Sequence, residues 1–120
     1  MKTQLNALAA LTGAAALLAG APAWAHAHLV ASNPSANATV AAPKTITLTF
    51  SEKLAPAFSS FELVTAAKGK VAVKTAVSKD GKSITGAPQG ALAAGAYKIT
   101  WKAASSDGHR MTGEIAFKVS

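Results

Sequence analysis

A repeat of two in the apolar residues constrains this chain more than any other feature. Ile46, Leu48 and Phe50 fall on one side of an extended backbone, and Thr45, Thr47 and Thr49 on the other. Tyr97, Ile99 and Trp101 alternate with Lys98, Thr100 and Lys102, and Ile115, Phe117 and Val119 with Ala116 and Lys118. Val71, Val73 and Val77 against Ala72, Lys74 and Ala76 read as one further strand, and Phe61 with Leu63 as a shorter one. Weaker strands are expected at His28 to Ser32 and Ser83 to Thr85. Turn residues punctuate these runs at Asn33-Pro34, Ala42-Pro43, Lys68-Gly69, Asp80-Gly81, Ala87-Pro88, Gly90 and Gly95. Asp80-Gly81, between two strand-like runs, predicts a hairpin. No long amphipathic helical pattern lies beyond the first 25 residues, and Pro56 limits Leu54 to Ser59 to a helical turn at most. About seven short strands with frequent turns predict an all-β fold, an antiparallel Greek-key β-sandwich. The inward aromatics, Trp101 among them, would fill the layer between the sheets.

Residues 1–25 have a different character. Lys2 is followed by an apolar stretch from Leu5 to Leu18, and Ala23-Trp24-Ala25 offers a small-residue cleavage site with Pro22 just ahead. That is the plan of a secretory signal peptide, expected to be removed. Asn6, Thr12 and Gly13 interrupt the apolar run, which is short for a membrane span. The folded unit is therefore expected over residues 26–120, with no membrane span after cleavage. A domain of that size has a thin core. The chain has no cysteine, so neither a disulfide nor a thiolate metal site can support it.

The charge balance is basic, with 12 Lys and Arg against 5 Asp and Glu and a formal net charge of +7, one unit of which leaves with Lys2. The lysines are dispersed and no aromatic stacking platform lies beside them, so nucleic acid is not an expected partner. They read as the solvated face of a sheet.

Cleavage after Ala25 makes His26 the amino terminus. An α-amine and an imidazole on one residue form a bidentate chelate suited to a divalent metal of Cu(II) type. The only other histidines are His28 and His109. In Ser105-Ser106-Asp107-Gly108-His109 the carboxylate and the imidazole are two residues apart, so an extended segment projects both to the same side. The same motif could be a plain loop, with Asp107 making a turn hydrogen bond and His109 exposed. Joined to His26, it offers three nitrogens and one oxygen, a set for tetragonal Cu(II). Zn(II) could take the same side chains in a more tetrahedral arrangement.

These motifs, taken together, resemble the CopC family of periplasmic copper-binding proteins over nearly the whole chain beyond the leader. The matching features are His26-Ala27-His28-Leu29, Ser32-Asn33-Pro34, Leu48-Thr49-Phe50-Ser51-Glu52, Gly95-Ala96-Tyr97 leading to Trp101, and the Asp107-Gly108-His109 loop with Gly113 and Phe117 beyond it. The resemblance implies a cupredoxin-like sandwich or barrel with Cu(II) near one end and His26, Asp107 and His109 as its ligands. Glu52 matches a family glutamate close to the metal, as a weak ligand or as a carboxylate that orients one. The resemblance further implies a periplasmic role in copper resistance or uptake, often alongside an inner-membrane copper transport protein, and a monomer is expected. Some relatives carry a methionine-rich loop for Cu(I). Here the methionines are Met1 and Met111 alone, so a Cu(I) site is not expected.

His28 offers an alternative. A histidine third from a free amine can bind Cu(II) through the amine, two backbone amides and its own ring, with nothing from Asp107 or His109. That arrangement would pull Ala27 and His28 off the first strand. Beyond a non-enzymatic copper carrier, two other functions compete. A copper-dependent oxidase of the monooxygenase type uses the same terminal-histidine chelate, but needs exposed aromatics on a flat face, and here most aromatics fall on inward positions. A metal-free immunoglobulin-like interaction module is the plain reading of any small sandwich.

Overall fold

The computed structural model describes residues 27–120. The expected signal peptide and His26 lie outside the described residues. The strands are β1 (Leu29–Asn33), β2 (Thr39–Val40), β3 (Ile46–Phe50), β4 (Ser60–Thr65), β5 (Lys70–Val71), β6 (Val73–Val77), β7 (Ser83–Pro88), β8 (Gly95–Ala104) and β9 (Arg110–Val119). They form two layers, a four-stranded sheet in the order β1-β3-β7-β6 and a five-stranded sheet in the order β2-β9-β8-β4-β5. The fold is the all-β sandwich that the alternation predicts. Among the described residues its one helical element is a 3-10 turn at Pro56–Phe58, opened by the proline.

Alternation becomes burial in the way a two-layer core demands. Ile46, Leu48 and Phe50 of β3 are buried, as are Tyr97, Ile99 and Trp101 of β8 and Ile115, Phe117 and Val119 of β9. Phe50 meets Trp101 edge to face across the layer, at 5.1 Å between ring centroids and 74° between planes. Gly113, opposite Trp101 in the β8–β9 ladder, leaves room for the indole, since a Cβ there would come within 2.8 Å of Trp101 Nε1. At the other end Tyr97 stacks on Phe117 and donates its hydroxyl to the Ala93 carbonyl at 2.7 Å.

Three features depart from the expectation. Among the described residues there are nine strands rather than about seven. The run Val71 to Val77 is two strands in different sheets, because the chain changes layer at Ala72 and β5 pairs β4 while β6 pairs β7. Sandwich corners are made by strands that switch sheets, and an inward-outward alternation survives the switch unchanged. The sheets are also not wholly antiparallel, since β2 runs parallel to β9 with Thr39 opposite Lys118. Two residues are too few to carry a periodic signal, and this pairing rests on backbone hydrogen bonds such as Lys118 N–H to the Ala38 carbonyl, 2.9 Å.

Candidate metal centre

The β8–β9 hairpin closes through residues 105–109, and backbone hydrogen bonds shape that turn. The Ser105 N–H donates to the His109 carbonyl at 2.9 Å, one step beyond the last ladder pair, Ala104 with Arg110. The Gly108 N–H donates to the Ser105 carbonyl at 2.9 Å, with Gly108 at φ +95°, a conformation that favours glycine. The turn holds the Asp107 and His109 side chains together, with Asp107 Oδ2 3.0 Å from His109 Nδ1. Their side chains are about half exposed, 47% and 50%.

The other carboxylate oxygen, Oδ1, accepts from the Ser105 hydroxyl and from the His109 N–H at 3.3 Å. These contacts hold the Asp107 carboxyl well below the usual carboxylate range. The Ser105 hydroxyl is the largest cause, followed by the His109 side chain and backbone, while desolvation opposes them weakly. Asp107 is thus ionised at any physiological pH and ready to act as an oxygen donor.

A four-residue segment after β3 ties this loop to the start of the domain. At one end of it, Ser51 N–H donates to the His28 carbonyl at 2.9 Å, and Ser51 Oγ accepts the His28 N–H at 3.0 Å. The same hydroxyl lies 3.3 Å from His28 Nδ1. At the other end, the Lys53 carbonyl accepts the Ser106 N–H at 3.2 Å and Leu54 bridges to Ser105. The residues following His26 and the Asp107–His109 loop therefore lie at the same end of the sandwich. Glu52 sits between these attachments, exposed, and its carboxylate has no hydrogen bond or ion pair among the described residues.

Of the residues singled out from sequence, Asp107 and His109 are brought together, and Glu52 is on the segment that borders them. His28 is held by Ser51 through its amide, its carbonyl and its ring. His26 lies outside the described residues, and among those described no three His, Asp or Glu side chains gather into a metal-binding group. Met111 is half-buried against the core. Sequence reasoning gave no role to Ser105, which is 1% exposed and contacts the Asp107 carboxylate. The Ser-x-Asp spacing was the available signal.

Comparison with known proteins gives a consistent result. The CopC domain family matches residues 29–120. Copper resistance protein C of Xanthomonas campestris pv. juglandis is 47% identical over 112 residues, which cover 88% of each chain. Copper resistance protein C of Pseudomonas syringae pv. tomato is 46% identical over 113 residues, covering 88% of this chain and 90% of that one. Among solved structures, PcoC, a methionine-rich copper resistance protein from Escherichia coli, superposes with a TM-score of 0.73 at 40% identity, over 79% of this chain and 99% of the other. CopC from Methylosinus trichosporium OB3b does so with a TM-score of 0.72 at 33% identity, over 79% and 94%. With a family match over residues 29–120 and relatives this similar across most of their length, the chain belongs to the CopC family.

Proposed function

We propose that residues 26–120, freed of the leader in the periplasm, bind Cu(II) and act as a non-enzymatic carrier or buffer in copper resistance or homeostasis. The ligands in this reading are the α-amine and ring of His26, a carboxylate oxygen of Asp107 and a ring nitrogen of His109. Glu52 serves as a weak ligand or hydrogen-bonds a coordinated group. The observation that carries the reading is the 3.0 Å between Asp107 Oδ2 and His109 Nδ1. At a hydrogen-bonding distance the pair sets one oxygen and one nitrogen donor side by side, the mixed set that suits Cu(II) once the amine and ring of His26 join it. The ion would take the place of the proton these two atoms share.

The hydrogen bonds of His28 to Ser51 weigh against the alternative chelate, which would need the His28 amide nitrogen and ring together. Cu(II) is cargo here, to be passed to a partner such as an inner-membrane copper transport protein. The test is calorimetry of protein that begins at His26, titrated with Cu(II) in competition with Zn(II). Tight 1:1 binding with copper preferred is expected, and it should be lost in His109→Ala and kept in His28→Ala. Binding that survives His109→Ala but not His28→Ala would transfer the site to the amino-terminal tripeptide.

A further inference from the structure

We propose that Ser105 is a positioning residue for the metal site: it fixes Asp107 Oδ1, so that Oδ2 is the oxygen presented to the ion beside His109 Nδ1. The inference deepens the copper-carrier reading and rests on it for the identity of the ion, but not for the geometry.

The hairpin turn is otherwise solvent-facing, with Ser106, Asp107, Gly108 and His109 all exposed, whereas Ser105 is 1% exposed. It is the point where the loop is anchored. Its N–H and carbonyl close the turn onto His109 and Gly108, and its bridge to Leu54 joins the turn to the segment after β3. A hydroxyl so deeply buried needs a partner. Its close one is Asp107 Oδ1, with the His109 carbonyl a distant second at 3.4 Å.

The two carboxylate oxygens therefore have different duties. Oδ1 receives a hydroxyl and a backbone N–H, both from groups that stay in place when a metal arrives. Oδ2 faces only the His109 ring among the described residues. A metal entering between Oδ2 and Nδ1 displaces one hydrogen bond and leaves the two at Oδ1 intact. The carboxylate keeps its two anchors at Oδ1, and a donor already restrained loses less freedom on binding. Hydrogen bonds behind a ligand that set its orientation are commonly worth 10–100-fold in metal affinity. Without the hydroxyl, Oδ1 is held by one backbone N–H at 3.3 Å, and once a metal replaces the His109 contact at Oδ2 nothing stronger fixes the χ2 angle of Asp107.

The test is a double-mutant cycle on protein beginning at His26, using Ser105→Ala and Asp107→Ala alone and together. Alanine keeps the backbone hydrogen bonds of residue 105, and thermal melts check that each variant folds. Ser105→Ala is expected to weaken Cu(II) binding by about tenfold or more in the parent, to change the Cu(II) EPR spectrum, and to have no further effect once Asp107 is alanine. Equal losses in both backgrounds, or no loss in the parent, would overturn the proposal. A metal-free readout separates it from the copper reading: the ring nitrogen shifts of His109 in proton–nitrogen NMR spectra. Ser105→Ala should move them in the parent and leave them unmoved in the Asp107→Ala background. If the parent protein fails to bind Cu(II), the carrier reading falls and the NMR cycle alone decides the role of Ser105. Unmoved shifts in the parent would sink that role as well.

Discussion

A turn brings Asp107 and His109 together, closed by the Gly108 N–H on the Ser105 carbonyl with Gly108 at φ +95°. The spacing of two pairs them only on the premise of an extended segment. Their surroundings could not be read from spacing, because what holds the turn in place is non-local. Ser105 is buried through a bridge to Leu54, and His28 is restrained by Ser51, 23 residues away. Neither relation has a periodic or motif signature. Acid should reveal the environment of the pair. The folded-state Asp107 carboxyl lies below its ordinary value of 3.8, so its contribution to stability is present above that pH and is lost as pH falls through the folded value. Wild-type metal-free protein should therefore exceed Asp107→Asn in urea midpoint at pH 5, and the gap should close towards pH 2. A gap constant over that range would mean that the carboxylate is not stabilised by folding. Copper binding should respond at higher pH. An amine near pKa ~8 and an imidazole near ~6.5 must each shed a proton to bind, so Cu(II) affinity should drop steeply from pH 8 to 5. A flat titration profile over that interval would remove the amine from the site.

At the level of elements, period-two patterning located every long strand, because a sandwich has one wet and one dry side on each sheet. It failed where backbone alone decides. The layer change at Ala72 is invisible to a pattern that only distinguishes inside from outside, since Val71 and Val73 pack against one core from opposite sheets. The parallel β2–β9 pair was missed for want of length. Glycines mark where strands come closest. A Cβ on Gly86 would come within 2.7 Å of Val73 Cγ1 and 2.8 Å of Phe61 Cζ, in a core with no slack. Gly113 faces the Trp101 ring in the same way. Gly86→Ala and Gly113→Ala should each cost about 1–3 kcal/mol by overpacking, measured as a lower urea midpoint at unchanged slope. Gly113→Ala should also alter Trp101 fluorescence, since its Cβ meets the indole directly. Gly81, at φ +77° in the β6–β7 hairpin, has room around it, with Lys53 at 3.4 Å or more. Gly81→Ala should cost about 1–2 kcal/mol from backbone conformation alone.

Across the whole molecule, a site of this kind joins the first residue of the domain to the turn of the β8–β9 hairpin, at the end of the sandwich where the segment after β3 hydrogen-bonds to both His28 and Ser106. With no disulfide available and a small core, an ion bridging them is a cross-link that the unfolded chain does not possess. Ligand binding stabilises the native state by about 2.7 kcal/mol when free ligand is 100-fold above its dissociation constant. For a domain of this size each kcal/mol moves the melting temperature by about 4–8 °C, so Cu(II) should raise it by about 10–20 °C. That linkage makes amino-terminal processing a stability experiment. Protein beginning at His26 should show the full shift, and protein retaining Ala25 should show much less, since its His26 nitrogen is a peptide amide and no longer half of a chelate. Differential scanning calorimetry of the two forms, with and without Cu(II), makes the comparison. The metal-free forms should melt together, because one added residue ahead of His26 removes no contact among residues 27–120. An equal copper-induced shift in both forms would place the ion on side chains only. The chain's first residue would then have no part in the site, and cleavage would serve export alone.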